Sequence, residues 1–242
     1  MIIETIARGK PAAFGHEIVK RRFRLTAERV SLENKNVLDL GCGNGSQTCE
    51  FINAGCRIAA VDIGFENLAV LAKHLRDDER RAIIPVQYDG LHLPFAGGSI
   101  ELVVSYEVLE HVQDEAATLC EIYRVLKPGG EFILSVPNKG WIFETHGARL
   151  PLLPWNRVPF FSYLPHRIHR RFAKARIYRK RDIINLLIAH SFEILSAPYI
   201  TAPMDVVKNA QLKRLLRGTL FRGDTTRWTF LATAILVHAR RR

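Results

Sequence analysis

Three glycines at alternating positions, Gly41, Gly43 and Gly45, follow the short apolar run Val37-Leu38-Asp39-Leu40. A glycine loop that leaves a buried strand and enters a helix brings backbone N–H groups and the helix N-terminus close to a polar ligand, because no Cβ intervenes. The spacing here is G-x-G-x-G, whereas the loop that cradles a dinucleotide pyrophosphate is G-x-G-x-x-G; the pattern therefore favours a ligand without a pyrophosphate. Asp62 lies 17 residues beyond Gly45, where a carboxylate accepts the hydroxyls of a ribose. That pair of features suits an adenosyl ligand and NAD alike, and a tight strand-to-helix turn accounts for the glycines equally well.

Two later segments narrow the choice: Tyr88-Asp89-Gly90-Leu91-His92-Leu93-Pro94-Phe95 and Tyr106-Glu107-Val108-Leu109-Glu110-His111-Val112-Gln113-Asp114. Together with the glycine loop, over about residues 36–137, they make the chain resemble the class I methyltransferases, especially the subgroup with the ubiquinone and menaquinone biosynthesis enzymes. The resemblance implies S-adenosylmethionine as cofactor. It places Asp39, Gly41, Gly43 and Gly45 at the methionine part, Asp62 at the ribose, and Asp89 with Gly90 or Leu91 at the adenine, with Asn44 and Ile63 also on the cofactor. It puts Tyr106 beside the methyl-transfer centre. An NAD-dependent dehydrogenase is the rival at the level of the fold.

Methyl transfer from a sulfonium is an in-line displacement whose donor is already activated, so alignment and exclusion of water are the protein's main tasks. A base is needed only where the acceptor must lose a proton. Glu107, His111 and His146 are the candidates, each with a structural role as its plainer alternative; Trp141, Glu144 and His146 are candidates for the acceptor side. The Asn or Asp, Pro, Pro, aromatic signature of nucleobase amino methylation is absent after the fourth strand, where Ser105-Tyr106-Glu107-Val108 stands.

Positioning these groups calls for alternating strands and helices around a parallel sheet. Strands are expected at 36–40, 57–62, 82–88, 100–105 and 130–136, with helices at 46–53, 65–76 and 114–126. The last helix is stopped by Lys127-Pro128-Gly129-Gly130. A basic helix at 12–29 is expected over the C-terminal edge of the sheet, and a further helix at 179–190, a strand at 192–199, a helical stretch at 205–221 and a strand at 228–238 complete the chain. The fold class is thus α/β: a doubly wound, mostly parallel seven-stranded sheet with an antiparallel C-terminal strand and an insertion after the fifth strand. Within a single domain, 1–35 is a helical cap, 36–137 the cofactor-binding core, 138–178 a basic aromatic insertion on the acceptor side, and 179–242 a helix and strand pair completing the sheet.

No apolar run approaches the roughly 20 residues that span a bilayer, and residues 1–10 lack the uninterrupted apolar stretch of a secretory signal, so residence in the cytoplasm is the expectation. Cys42, Cys49, Cys56 and Cys120 form no C-x-x-C pair and read as reduced thiols in or near the core, with no metal site. The net charge of +11 is unevenly divided: residues 1–144 carry 16 Lys+Arg against 20 Asp+Glu, and residues 145–242 carry 19 against 4. Residues 145–181 hold ten Lys+Arg and no acid, interleaved with Trp155, Phe160, Phe161, Tyr163, Phe172 and Tyr178, and 208–222 is basic and amphipathic. Such a surface suits an anionic membrane, at the inner face of which the protein would be peripheral, or RNA; the apolar Leu150-Pro151-Leu152-Leu153-Pro154-Trp155 favours the membrane or a lipid-linked acceptor over nucleic acid. A lid whose arginines pair with acids of the core is the plainer alternative, and Arg240-Arg241-Arg242 reads as a solubilising tail. The expected function is transfer of a methyl group to oxygen or carbon of a small, hydrophobic or lipid-linked acceptor; methylation of RNA or protein, and a noncatalytic adenosyl-binding module, are the alternatives.

Overall fold

The computed structural model of the protein describes residues 13, 15–143, 159–165, 169 and 172–242. Glu144, His146, and the basic and aromatic residues Arg149, Trp155, Arg157, Arg167, Arg170 and Arg171 lie outside the described residues.

Five parallel strands carry the first part of the chain: β1 Asn36–Leu40, β2 Arg57–Asp62, β3 Ile83–Gln87, β4 Ile100–Tyr106 and β5 Leu126–Pro137. They lie in the order β3-β2-β1-β4-β5, so the chain reverses its direction of travel across the sheet between β1 and β4. Beyond β5 comes β9, Ala232–Arg241, antiparallel, and beyond it β6, Phe192–Ser196, and β7, Tyr199–Thr201, both paired with β9. Seven strand positions thus run across the sheet. The count of nine arises because the expected strand at 192–199 is interrupted at Ala197-Pro198, and because two-residue β8, Thr225–Thr226, pairs with the far edge of β7. Proline cannot donate to a ladder, but the Pro198 carbonyl still accepts from the Leu236 N–H at 3.0 Å, so the ribbon continues across the break.

The strands alternate their faces as period two requires. Val37, Leu102, Val104 and Ile133 meet α1, Glu17–Ala27, α2, Thr48–Asn53, and α3, Phe65–His74, on one side. Leu38, Leu40, Val103, Phe132, Leu134 and Val136 meet α4, Glu115–Val125, and α5, Lys180–Ala189, on the other. Each layer closes with fully buried side chains: Phe51 and Leu71 in the first, Leu119, Ile122, Ile183 and Leu187 in the second. The helix α4 starts where its cap dictates, with the Asp114 carboxylate accepting from the Ala117 N–H at 3.0 Å.

Several boundaries differ from the sequence reading. α2 begins two residues later, because Ser46 and Gln47 belong to the turn after the glycine loop, and Thr229–Leu231 forms a single tight turn before β9. Cys42 and Cys56 are buried thiols, but Cys120 is exposed on the solvent side of α4. Burial pushes the Cys56 thiol up to about 11. The C-terminal arginines are not a loose tail: Arg241 ends β9, donates to the carbonyls of Arg124 and Leu126, and stacks 4.6 Å from the Tyr123 ring.

Candidate active site

The ends of β1, β2 and β4 and the segment following β3 converge at the carboxyl edge of the sheet, beside the point where the strand order reverses. In open α/β sheets that crevice is where ligands bind. At the end of β1 the chain turns sharply, with Gly41 at φ +74° and Gly45 at φ +85°. A Cβ on Gly41 would collide with Val108, and one on Gly45 with Leu71, so both positions demand glycine for conformation and for space. The loop is tied to β2 by the N–H groups of Gly41 and Cys42, which donate to the Val61 carbonyl at 2.7 and 3.0 Å.

Two buried carboxylates face this loop. Asp39 accepts the Thr48 hydroxyl on Oδ2 at 2.6 Å, while its Oδ1 receives no hydrogen bond from the described residues. Burial raises its pKa to about 6, opposed by the Thr48 hydrogen bond and reinforced by the charge of Asp62. Asp62 accepts the Gly43 N–H on Oδ2 at 2.9 Å, and on Oδ1 the Gly64 N–H at 2.8 Å and the Asn67 amide at 3.0 Å. One carboxylate thereby fixes both the glycine loop and the start of α3.

The segment after β3 packs next to Ile63: a Cβ on Gly90 would stand 3.5 Å from the Ile63 side chain. The exposed Asp89 carboxylate accepts the N–H groups of Leu91 and His92 at 2.7 and 2.8 Å, which hold its pKa down to about 2. Ile63 and Leu91 leave large apolar side chains open to solvent beside it. Burial pushes the neighbouring Tyr88 phenol up to about 12, with help from Asp62 and Asp89.

Tyr106 closes β4, and its hydroxyl is bonded to Thr26 of α1 at 2.7 Å; burial holds the phenol far above its usual range. Glu107 follows with a left-handed backbone, φ +58°, an unusual conformation for a non-glycine residue and one that tends to collect at functional sites. Its carboxylate accepts the Ser135 hydroxyl at 3.0 Å and pairs with Arg22 of α1 at 3.0 Å. Glu110 is fully buried next to it; desolvation, then the charge of Glu107, holds its carboxyl well above the usual carboxylate range. His111 Nε2 lies 4.0 Å from Glu110. Among the described residues no group of three or more His, Cys, Asp and Glu is placed to hold a metal ion.

On the far side of β5, Trp141 is buried against Phe143 and Phe221, at ring centroids of 5.6 and 6.3 Å. The basic insertion returns to the site through Arg176, whose guanidinium donates to the carbonyls of Val112 and Gln113 at 2.6 and 3.2 Å and pairs with Glu115 at 3.4 Å. At least this arginine serves as a pin holding the insertion on the loop after β4.

The structure brings Asp39, Gly41, Gly43, Gly45, Asp62, Ile63, Asp89, Gly90, Tyr106, Glu107 and His111 to one edge of the sheet; Trp141 lies beyond β5. Sequence reasoning missed Arg22, Thr26, Thr48, Asn67, Glu110 and Arg176. All but Glu110 sit in helices or in the insertion and reach the site only through tertiary contact. Glu110 had a signal, an acid three residues after Glu107 in the same strand-end segment.

Residues 38–134 match a family described as a methyltransferase domain. A ubiquinone biosynthesis O-methyltransferase of Pseudomonas aeruginosa is 30% identical over 181 residues, 71% of this chain and 76% of the relative. One of the same description from Psychrobacter arcticus is 36% identical over 171 residues, covering 66% of this chain and 65% of its own. Among solved structures, an S-adenosylmethionine-dependent methyltransferase of Mesorhizobium loti superposes with a TM-score of 0.63 at 21% identity, covering 90% of this chain and 96% of that one. A geranyl diphosphate C-methyltransferase of Streptomyces coelicolor gives 0.63 at 13% identity, over 92% and 79%.

Proposed function

The chain belongs to the class I S-adenosylmethionine-dependent methyltransferases, and on that footing we propose that it methylates an oxygen or carbon atom of a small, hydrophobic or lipid-linked acceptor. The observation that carries the acceptor reading is the likeness, over about three quarters of its own length, to an enzyme named for O-methylation in ubiquinone biosynthesis.

The residues at the sheet edge fit the cofactor. Asp39 offers its second carboxylate oxygen, which receives no hydrogen bond among the described residues, to the α-ammonium group. Asp62 has about four acceptor positions, of which three are used within the chain. A ribose diol would take the free position on Oδ2 and displace the Asn67 amide, the one donor of the three that is not fixed in the backbone. Asp89 would accept from the adenine amino group, and Ile63 and Leu91 would cover the faces of the ring; Gly41, Gly43, Asn44, Gly45, Gly90 and Tyr106 complete the surround. When bound, S-adenosylmethionine supplies an electrophilic methyl group on a sulfonium.

The chain's own contribution is alignment. α1 holds Tyr106 and Glu107 through Thr26 and Arg22, and Arg176 ties its own segment to the loop after β4. If the acceptor is a phenol or alcohol, its proton must leave, and Glu107 is the group we assign to that contact. Its carboxylate is more open than the His111 ring.

The test is formation of S-adenosylhomocysteine from S-adenosylmethionine with three substrates: a long-chain catechol, a total lipid extract and an RNA fraction. Turnover with the catechol or the extract and none with RNA is expected. Turnover confined to RNA, or none with any substrate by a protein that binds the cofactor, overturns the acceptor reading.

A further inference from the structure

The helix Ala210–Gly218, here α6, buries none of its residues, although four of its nine positions are apolar. Leu212, Leu215 and Leu216 fall within about 100° of one another on the helical wheel. Leu216 turns inward, onto a small cluster with Trp141, Phe221 and Leu231. Leu215 is 62% exposed, and Leu212 and nearby Leu220 also stand in solvent. Because Leu216 and Leu231 share that cluster, α6 lies beside the turn that carries Trp228 and Phe230. Trp228 is 63% exposed, and the two rings contact each other at 5.7 Å. Exposed leucine and aromatic side chains gathered on two elements that pack against one small cluster mark an interaction site.

The charges around the patch identify the partner. Residues 206–223 contain five Lys+Arg and no Asp or Glu. Arg217 is used internally, donating to the Pro203 carbonyl and pairing with Asp205 at 2.9 Å. Lys208, Arg214, Arg222 and Arg227 are exposed, with Lys213 half-buried between them. The two acids that flank the segment are neutralised within the fold, Asp205 by Arg217 and by the N–H groups that begin α1, and Asp224 by Arg24 at 2.6 Å. The outward surface is therefore cationic and apolar together, the pairing that suits the headgroup and acyl boundary of an anionic bilayer. A nucleic-acid surface would match the cations but leave the leucines and Trp228 without partners.

We propose that α6 and the Trp228–Phe230 turn seat the protein on an anionic lipid surface. This goes beyond the methyl-transfer reading and does not depend on which acceptor is used. The seat is also wired to the site. Arg21 of α1 donates to the carbonyls of Thr201 and Phe221 at 2.9 and 3.2 Å, and Asp205 caps the start of the same helix. α1 is the helix whose Arg22 and Thr26 hold Glu107 and Tyr106. Docking thus orients the active-site edge of the sheet with respect to the lipid.

The test is flotation of the full chain with vesicles of phosphatidylcholine alone and with about 30 mol % phosphatidylglycerol, at low salt and at about 0.15 M salt. The protein is expected to float with the anionic vesicles, more weakly at the higher salt, and not with neutral ones. The double variant Leu212→Asp with Leu215→Asp, both solvent-exposed, is expected to lose about tenfold or more in partitioning while keeping its melting temperature and its affinity for S-adenosylmethionine. Failure of the wild type to float with anionic vesicles at low salt overturns the proposal. So does a double variant that floats like the wild type, or an affinity for RNA that persists where vesicle binding is absent. The cofactor measurement keeps these outcomes separate from failure of the methyltransferase reading.

Discussion

Asp39 lets cofactor binding and folding be pulled in opposite directions by one atom change. Its carboxyl is 2% exposed, and burial raises its pKa to about 6. If the ionised form receives the ammonium group of S-adenosylmethionine, about nine tenths of the sites are competent at pH 7 and about one tenth at pH 5. The apparent Kd equals the intrinsic value divided by the competent fraction, so it should weaken about tenfold between those pH values. Asp39→Asn keeps the shape and the acceptor for Thr48 but removes the titration. Its affinity at pH 7 should fall by about tenfold or more, the size of a lost charge-assisted hydrogen bond, and should stay flat from pH 5 to 7.

Stability moves the other way. A carboxyl whose pKa is raised in the fold contributes fully below its unfolded value near 3.9 and loses that contribution as pH rises through about 6. At pH 7 the wild type therefore carries a penalty of order 2 to 3 kcal/mol, which the Asn side chain avoids. Asp39→Asn should accordingly raise the midpoint of urea unfolding in the absence of cofactor while weakening the Kd measured by titration calorimetry. A wild-type Kd that is flat between pH 5 and 7, or an Asn variant that binds as tightly as wild type, refutes the assignment of Asp39 to the cofactor.

Three further variants probe neighbouring contacts. Thr48→Val removes the hydrogen bond that opposes the rise at Asp39, so the fall of affinity with acid should move up by about one pH unit in the same calorimetric series. Asp62→Ala should weaken cofactor binding by about tenfold or more, whereas Asn67→Ala should leave it within about threefold, because its amide is the donor a ribose would displace; equal losses in the two variants would contradict that order. Gly45→Ala places a Cβ against Leu71 on a residue at φ +85° and should destabilise by about 2 to 4 kcal/mol, read by scanning calorimetry as a fall of several degrees.

The parallel half of the fold was legible because its signals are local. A buried parallel strand is a short apolar run, and β1, β2 and β4 fell within a residue of their expected bounds. Asp114 marked the start of α4 in the same local way, whereas the helix ends at Val125 and the expected stop at Lys127–Gly130 is an irregularity within β5, which starts at Leu126 and not at 130. The C-terminal strand at 192–199 was legible as a position in the sheet, but its division at Pro198 depends on β9 across the ladder, and nothing within those eight residues states where β9 lies. The carboxyl edge of the sheet was legible for the same reason as the strands: Asp39, Asp62, Asp89 and Tyr106 sit on or just past strands whose ends are visible in sequence. The helix expected at 12–29 over the carboxyl edge does reach it, but Arg22 and Thr26 as the residues that meet Glu107 and Tyr106 were not legible, because the helix carries no mark of which strand end each will touch.

The charge asymmetry shows where composition stops being informative. An excess of cations in residues 145–242 fits a polyanion, a membrane or a lid equally well as long as the cations are only counted. Their destinations separate the three. Arg176, Arg217 and Arg241 are consumed by backbone carbonyls and, for the first two, by half-buried acids, as a lid or a strand end requires. Lys208, Arg214, Arg222 and Arg227 remain outside, and what distinguishes them is the company they keep, Leu212, Leu215 and Trp228. A cation beside an exposed leucine is of use to a lipid surface in a way that a cation beside a serine is not, because each added apolar contact strengthens the seat independently of salt. Raising the ionic strength should therefore weaken vesicle binding without abolishing it, whereas binding that rests on phosphate contacts alone falls with every increment of salt.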